Sequence, residues 1–108
     1  MNERHAPNLD PRLEAELREI FEAELTERVQ AMDLDLLALE RAEGPDARRP
    51  AVNGLLRNAH SLKGGAQIID ERAIADLCDA VESYLEGVRE DPSMQVGALQ
   101  LIFDAVGV

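Results

Sequence analysis

His60 and Lys63 are the residues of this sequence whose types and spacing could do chemistry. They stand in the segment 58–66, which reads NAHSLKGGA. Residues three positions apart on an α-helix lie on the same side, so the imidazole and the ammonium would point the same way. A neutral histidine offers one unprotonated ring nitrogen as a nucleophile, for example toward phosphorus. Lys63 is the only lysine in the chain, and a mobile point charge suits a phosphoryl group that arrives and leaves.

A nucleophilic imidazole also needs a partner for its second ring nitrogen. A carboxylate that accepts the proton of that nitrogen fixes both the tautomer and the orientation of the ring. The following helix would run antiparallel and carries Asp79, Glu82 and Glu86 on its flank. Glu82 stands beside the apolar Val81, so we predict that Glu82 orients the imidazole. The alternative is that Glu82 is a solvated surface acid, as most helix glutamates are.

Two glycines follow the lysine, although each glycine inside a helix costs about 1 kcal/mol relative to alanine. Gly64 lies four residues after His60 and would leave bare backbone beside the ring, where a partner could approach. A tight crossing of two helices would also explain a glycine, and Gly65 could serve there. Arg57 and Gln67 share the polar face of the helix with His60. Arg57, Gly64, Gly65 and Gln67 are therefore the candidate partner contacts.

The elements that must position these residues are helical, because no segment alternates as a strand does. Asp10 as N-cap and Pro11 as first helical residue predict the start of a long first helix, and Gly44 with Pro45 ends it. Its apolar positions recur every three or four residues: Leu13, Leu17, Ile20 or Phe21, Leu25, Val29, Met32, Leu36 and Leu39.

The second helix is predicted to start near Pro50, since a proline deep inside a helix costs about 3 kcal/mol, and Asp46 would cap a preliminary turn. Asp70 is predicted to cap the third helix, and Asp91 with Pro92 to end it. The apolar faces of these two helices are Val52, Leu55, Leu56, Ala59, Leu62, Ala66 and Ile69, then Ile74, Leu77, Val81, Leu85 and Val88.

A fourth apolar segment over residues 93–108 completes the pattern, with Val96, Leu99, Ile102 or Phe103, and Val106 on its face. The predicted fold is therefore all-α, an antiparallel four-helix bundle over residues 10–108 behind a flexible leader at residues 1–9. The fourth helix is much shorter than the first. We expect from this that the sequence is cut from a longer protein.

Composition excludes several classes of function. The chain has 22 acids against 11 bases and a formal net charge of −11, which disfavours nucleic acid and anionic membrane as partners. One cysteine and two histidines are too few for an internal disulfide or a structural zinc site, so we expect no metal. Because the sequence shows neither a signal peptide nor an apolar run of about 20 residues, we predict a cytoplasmic protein.

The charge is unevenly distributed. Residues 45–69 contain four bases and one acid, so the second helix is a basic segment in an acidic molecule. This segment could pair with its acidic neighbours, or it could meet an anionic partner. Charge alone does not separate the two interpretations.

The segment AHSLKGGA at residues 59–66 resembles the A-H-S-x-K-G-G-A signature of histidine phosphotransfer (HPt) domains. It is most similar to the N-terminal phosphotransfer domain of CheA-type chemotaxis histidine kinases. LLALE at residues 36–40 and LCDAVESYL at residues 77–85 stand in the order expected for that family. The family often has a glycine where this chain has Asp70, and smaller residues at the positions of Gln67 and Ile68. We expect the capping side chain of Asp70 to form the turn.

The resemblance implies a role for each residue. His60 would be the phosphoacceptor, Lys63 would lie near the phosphoryl group, Gly64 would clear the approach of the partner, and Glu82 would hydrogen-bond the imidazole. Partners in the family are the ATP-binding catalytic domain of a histidine kinase, which donates the phosphoryl group, and a response-regulator receiver domain, whose aspartate accepts it. No cofactor is implied, and the chain shows no glycine-rich phosphate loop of its own.

Two other functions remain as alternatives. The chain could be a helical interaction module that binds its partner without phosphorylation, through an apolar groove beside the short fourth helix. A general acid–base enzyme that uses His60 and Glu82 is the weaker alternative, because the sequence offers no further catalytic group.

Overall fold

The computed structural model describes residues 10–91, which form three α-helices: α1 (Pro11–Arg41), α2 (Pro45–Ile68) and α3 (Arg72–Glu90). Within this range there is no strand, and the predicted all-helical class is confirmed. The connections, residues 42–44 and 69–71, are short. The predicted leader at residues 1–9 and the predicted fourth helix at residues 93–108 lie outside the described residues, so the four-helix bundle stays a prediction.

The middle helix, α2, packs against both α1 and α3. Arg28 of α1 donates a hydrogen bond to Asn58 of α2 at 2.9 Å. Phe21, seven residues earlier in α1, lies against Gly65, seven residues later in α2. This reversal of order shows that α1 and α2 run antiparallel, as short connections between packed helices require.

An aliphatic core joins the three helices. Phe21 of α1 lies in this core, whereas the neighbouring Ile20 is 64% exposed. Sequence spacing did not reveal that Ala75 and Cys78 of α3 are buried as well. Within residues 10–91 the buried apolar residues are Phe21, Val29, Met32, Leu36, Leu39, Ala51, Val52, Leu55, Ala59, Leu62, Ala66, Ile69, Ala75, Cys78, Val81, Leu85 and Val88. Among the helices of residues 10–91, none has an apolar stretch that could span a membrane.

The start of α1 is confirmed, whereas the start of α2 was predicted wrongly. The Asp10 side chain accepts a hydrogen bond from the backbone N–H of Arg12 at 3.0 Å, and Pro11 takes the first helical position. α2 begins at Pro45, five residues before the predicted start, so that Pro50 lies inside the helix. Pro50 removes only one helical hydrogen bond, and the exposed first turns of α2 leave the freed carbonyl open to water.

The turn between α2 and α3 also differs from the prediction. Glu71, not Asp70, is the N-cap of α3, and it makes no side-chain capping hydrogen bond. Asp70 instead adopts a left-handed backbone conformation with φ +58°. Asparagine and aspartate tolerate this conformation better than other non-glycine residues do. Asp70 therefore closes the turn through its backbone, in the way that a glycine would.

Two glycines of α2 allow α1 to approach closely. A Cβ atom on Gly65 would lie 2.9 Å from Cδ1 of Phe21, which is buried in the core. A Cβ atom on Gly54 would collide with the Asp35 carboxylate. A Cβ atom on Gly64, by contrast, would meet nothing within 4 Å. Gly54 and Gly65 thus serve the helix crossing, and Gly64 does not.

The adjacent glycines predict opposite effects on stability. We expect Gly65→Ala to lower the free energy of unfolding, because an overpacking cost of about 1–3 kcal/mol exceeds a gain in helix propensity of about 1 kcal/mol. The matched control Gly64→Ala should raise the free energy of unfolding by about 0.5–1 kcal/mol. Urea denaturation followed by circular dichroism measures both. Equal effects of the two substitutions would contradict the assigned packing of α1 on α2.

Candidate functional site

His60 lies on the outer side of α2. Its neighbours Ala59 and Leu62 are buried in the core, and the helical turn therefore directs residue 60 away from it. The His60 side chain is 75% exposed. The imidazole is thus open to a large partner such as another protein.

Glu82 of α3 contacts the inner edge of this imidazole. Its Oε2 lies 3.1 Å from His60 Nδ1, and its side chain is only 17% exposed. Glu82 follows Val81, which is buried, so the register of α3 fixes the carboxylate at the seam with α2. A carboxylate accepts hydrogen bonds, so this contact requires the proton on Nδ1. In the neutral ring, Nε2 then carries the lone pair.

Lys63 contacts the other oxygen of the same carboxylate. Its Nζ lies 2.5 Å from Glu82 Oε1 and 3.2 Å from Asp79 Oδ1. Glu82 Oε1 is shielded from solvent and makes no well-directed hydrogen bond, so attraction to the ammonium offsets the cost of burying it. The pKa of Lys63 lies above its ordinary value. The contact with Glu82 is the larger cause, and the contact with Asp79 is the next largest. Glu82 therefore joins the imidazole and the ammonium through one side chain.

The remaining predicted residues fall into two groups. Arg57 and Gln67 are exposed on the same side of α2 as His60, and Gly64 has open space beside it. Gly65 lies against Phe21 of α1, which matches the helix-crossing alternative and not a partner contact. A shallow, open groove surrounds His60 and is lined by Arg28, Leu56, Arg57, Asn58, Ser61, Glu82, Glu86 and Arg89.

Two residues near the site were not assigned a role from the sequence. Asp79 helps to hold the Lys63 ammonium. The sequence feature that could have indicated this role is its position one helical turn before Glu82. Cys78 is buried beneath the site, and no pattern distinguished it from the exposed side of α3. Burial raises the pKa of the Cys78 thiol to about 11, and the Glu82 carboxylate adds to that shift while Lys63 opposes it. Among residues 10–91, no group of three or more His, Cys, Asp or Glu side chains is placed to hold a metal ion.

The site thus consists of an exposed histidine that contacts a carboxylate, with a lysine one turn away on the same helix. The model of the Hpt domain family matches residues 16–107, and the chain belongs to that family. Membership supports a phosphotransfer role in a phosphorelay. The chain is also 31% identical over 84 residues to the chemotaxis protein CheA of Treponema pallidum (strain Nichols). That alignment covers 78% of this chain and 10% of the relative. No solved structure gives a significant match.

The raised pKa of Cys78 predicts a loss of stability at alkaline pH. The unfolded chain ionises this thiol near its ordinary value, whereas the folded protein does so only near pH 11. The contribution is complete below about pH 9 and should fall as pH rises, by about 1–2 kcal/mol at pH 10. Urea unfolding at pH 7.5 and at pH 10 measures it.

Cys78→Ala provides the control for this prediction, because it removes the thiol and leaves the other ionisable groups of the chain in place. The variant should lose less stability than the parent protein between pH 7.5 and pH 10. An identical loss in both proteins would show that the thiol ionises as readily in the folded state as in the unfolded chain.

Proposed function

We propose that the chain is a phosphocarrier whose His60 accepts a phosphoryl group from the ATP-dependent catalytic domain of a histidine kinase. His60 then passes the group to an aspartate of a response-regulator receiver domain. The contact of His60 Nδ1 with Glu82, on a ring that is otherwise exposed, is the single observation that carries this proposal. Family membership supports it independently.

The reaction uses the nitrogen that Glu82 leaves unprotonated. The lone pair of Nε2 attacks the γ-phosphorus of ATP, the bond to the bridging oxygen breaks, and ADP leaves with that electron pair. The ring keeps its proton on Nδ1 and becomes positively charged, and the Glu82 carboxylate stabilises this charge. In the second step a receiver carboxylate attacks phosphorus, the P–N bond breaks, and the electron pair returns to Nε2. The carrier is thus restored unchanged.

Lys63 is proposed to neutralise the phosphoryl oxygens. It lies one turn from His60 on the same helix, and its ammonium is already held near the ring by Glu82. The contact with Asp79 is longer and its carboxylate is 67% exposed, so this contact is the easier one to exchange for a phosphoryl oxygen. Lys63 can therefore serve the phosphorylated state while it keeps its contact with Glu82.

Partners are proposed to dock on the exposed side of α2. Gly64 has no neighbouring side chain that would obstruct approach to His60. Arg57 and Gln67 are exposed beside it and provide polar contacts, in the basic segment of an otherwise acidic chain. A receiver presents an acidic, Mg²⁺-binding pocket, and a basic helix steers such a surface into place.

The similarity to CheA suggests the setting of this domain. The chain spans about a tenth of the length of that relative, so it corresponds to a small part of such a kinase. We propose that it is the phosphotransfer domain of a CheA-type kinase, or a related carrier, that acts in chemotaxis signalling. A cytoplasmic location follows from the proposed use of ATP by the partner kinase.

Replacement of the phosphoacceptor should abolish phosphate uptake. With [γ-³²P]ATP and a cognate kinase domain, we expect the parent protein to acquire acid-labile, base-stable phosphate and His60→Gln to acquire none. The side chain is exposed, and a glutamine amide can still donate to Glu82, so circular dichroism should be unchanged. Label retained by His60→Gln would place the phosphoacceptor elsewhere.

Removal of the orienting carboxylate should slow uptake without abolishing it. We expect Glu82→Ala to lower the rate about 10–100-fold, because the ring loses its fixed orientation and its stabilising charge but keeps its nucleophilic nitrogen. The matched control is Glu86→Ala, one turn further along α3, where the carboxylate pairs with Arg89. Single-turnover phosphorylation measures both rates. If the two variants behave alike, Glu82 has no part in orienting His60.

A further inference from the structure

Three arginines line the groove around the imidazole, and carboxylates hold two of them. Arg28 pairs with Glu24, and Arg89 pairs with Glu86. Arg57 is exposed, and within residues 10–91 its guanidinium forms neither an ion pair nor a hydrogen bond. An arginine keeps its charge at every physiological pH. The groove therefore contains a permanent positive charge that no carboxylate of residues 10–91 contacts.

Asp35 of α1 is affected by the charge of Arg57 but does not bind it. Burial raises the pKa of the Asp35 carboxyl, and the positive charge of Arg57 opposes that rise. The carboxylate itself lies against Gly54, and the two side chains form no ion pair. Arg57 can therefore turn toward an anion in the groove without breaking a contact.

Arg57 and Lys63 flank His60 along α2. Arg57 stands three residues before the histidine and Lys63 three residues after it, and residues at this spacing lie on the same side of a helix. Each is displaced from His60 by about 4.5 Å along the helix axis. Lys63 lies toward α3, where two carboxylates hold it, whereas the effect on Asp35 places Arg57 toward α1. The imidazole thus has a cation on each side, and Arg57 is the one without a partner among residues 10–91.

The phosphorylated site needs this second cation. Glu82 and Asp79 bring two negative charges against the single positive charge of Lys63. A phosphoryl group on His60 places up to about two more negative charges on its oxygens. The positive charge that the ring then carries offsets only one of them. Lys63 also stays in contact with Glu82, so its charge is shared between a carboxylate and the phosphoryl group.

We propose that the Arg57 guanidinium binds two oxygens of the phosphoryl group on Nε2 of His60, both in the phosphorylated carrier and during transfer. The planar guanidinium offers parallel N–H donors that match two phosphoryl oxygens, which a lysine ammonium cannot do. Arg57 is thus a catalytic residue of the site and not only a contact for a partner protein. This inference rests on the proposed phosphorylation of His60.

A small phosphoryl donor separates this role from partner docking. With phosphoramidate, Nε2 attacks phosphorus, the P–N bond of the donor breaks, and ammonia leaves with the electron pair. No partner surface takes part. We expect Arg57→Gln to acquire phosphate on His60 about tenfold more slowly than the parent protein, because the transferring group loses a positive charge and two hydrogen-bond donors. Arg57→Lys, which keeps the charge but not the paired donors, should recover part of the rate.

The matched control is Arg89→Gln, which removes an arginine that lines the same groove but is held by Glu86. Its rate with phosphoramidate should stay within twofold of the parent rate. Because the Arg57 side chain is exposed and has no partner within residues 10–91, circular dichroism of Arg57→Gln should match that of the parent protein.

Phosphorus NMR of the phosphorylated proteins gives a second measurement without a partner. A bound guanidinium favours the doubly charged form of the phosphoryl group. The titration of that group should therefore move to a pH about 0.5–1 higher in Arg57→Gln than in the parent protein. A role of Arg57 in docking alone would leave this titration unchanged.

The inference is overturned if Arg57→Gln matches the parent protein in both measurements, or if Arg89→Gln loses as much rate as Arg57→Gln does. Either result leaves the proposed function standing, provided that the parent protein is phosphorylated on His60 by ATP and a cognate kinase domain. A parent protein that acquires phosphate on His60 from neither donor would overturn the proposed function, and this inference with it.

Discussion

The site depends on one carboxylate that contacts two side chains of a neighbouring helix. Glu82 accepts from His60 through one oxygen and pairs with Lys63 through the other. Its side chain is largely buried, so a conformation that separated it from both partners would leave an unpaired charge away from water. The orientation of the imidazole and the position of the ammonium are therefore coupled. A change in the α2–α3 register by one residue would rotate Glu82 away and remove both contacts.

The rest of the fold maintains that register. Asp70 closes the connection in a left-handed conformation, which leaves only residues 69–71 between the two helices. Arg18 of α1 reaches across this connection, where it pairs with Glu71 and donates to the carbonyl of Ile69 at 3.4 Å. At the same end of α2, Gly65 lets Phe21 pack closely. The long first helix thus braces the turn that positions the site, although it contributes no residue to the chemistry.

Helix periodicity, capping and residue spacing predicted the features that depend on residues close together in the sequence. Helix periodicity and the cap at Asp10 were sufficient for α1, and the i, i+3 spacing was sufficient to place His60 and Lys63 together. The same rules misplaced the start of α2, because they treat Pro50 as a helix breaker, whereas in the exposed first turns of α2 it removes only one helical hydrogen bond. They also could not choose between Ile20 and Phe21, which differ by only one position on the helix. Packing against Gly65 decides that choice.

Contacts between helices were harder to predict than positions along them. Glu82 was chosen from three acids on one flank of α3, and the choice needed the antiparallel arrangement as well as the sequence. The role of Asp79 as a partner of Lys63 depends on side-chain reach across the helix seam, which spacing does not encode. The close approach of Asp35 to Gly54, where a side chain would collide with the carboxylate, also depends on contact between helices and is not visible in spacing. These features follow from the distance between two helices, which no single segment specifies.

The tautomer of His60 tests the central claim most directly. In ¹⁵N-labelled protein at a pH where the ring is neutral, long-range ¹H–¹⁵N spectra distinguish a protonated ring nitrogen from one that carries a lone pair. The contact with Glu82 predicts that Nδ1 carries the proton and that Nε2 has the chemical shift of an unprotonated nitrogen. A ring protonated on Nε2, or an even mixture of the two tautomers, would contradict the account, because the nitrogen that faces solvent would then not be held ready for the proposed phosphorylation.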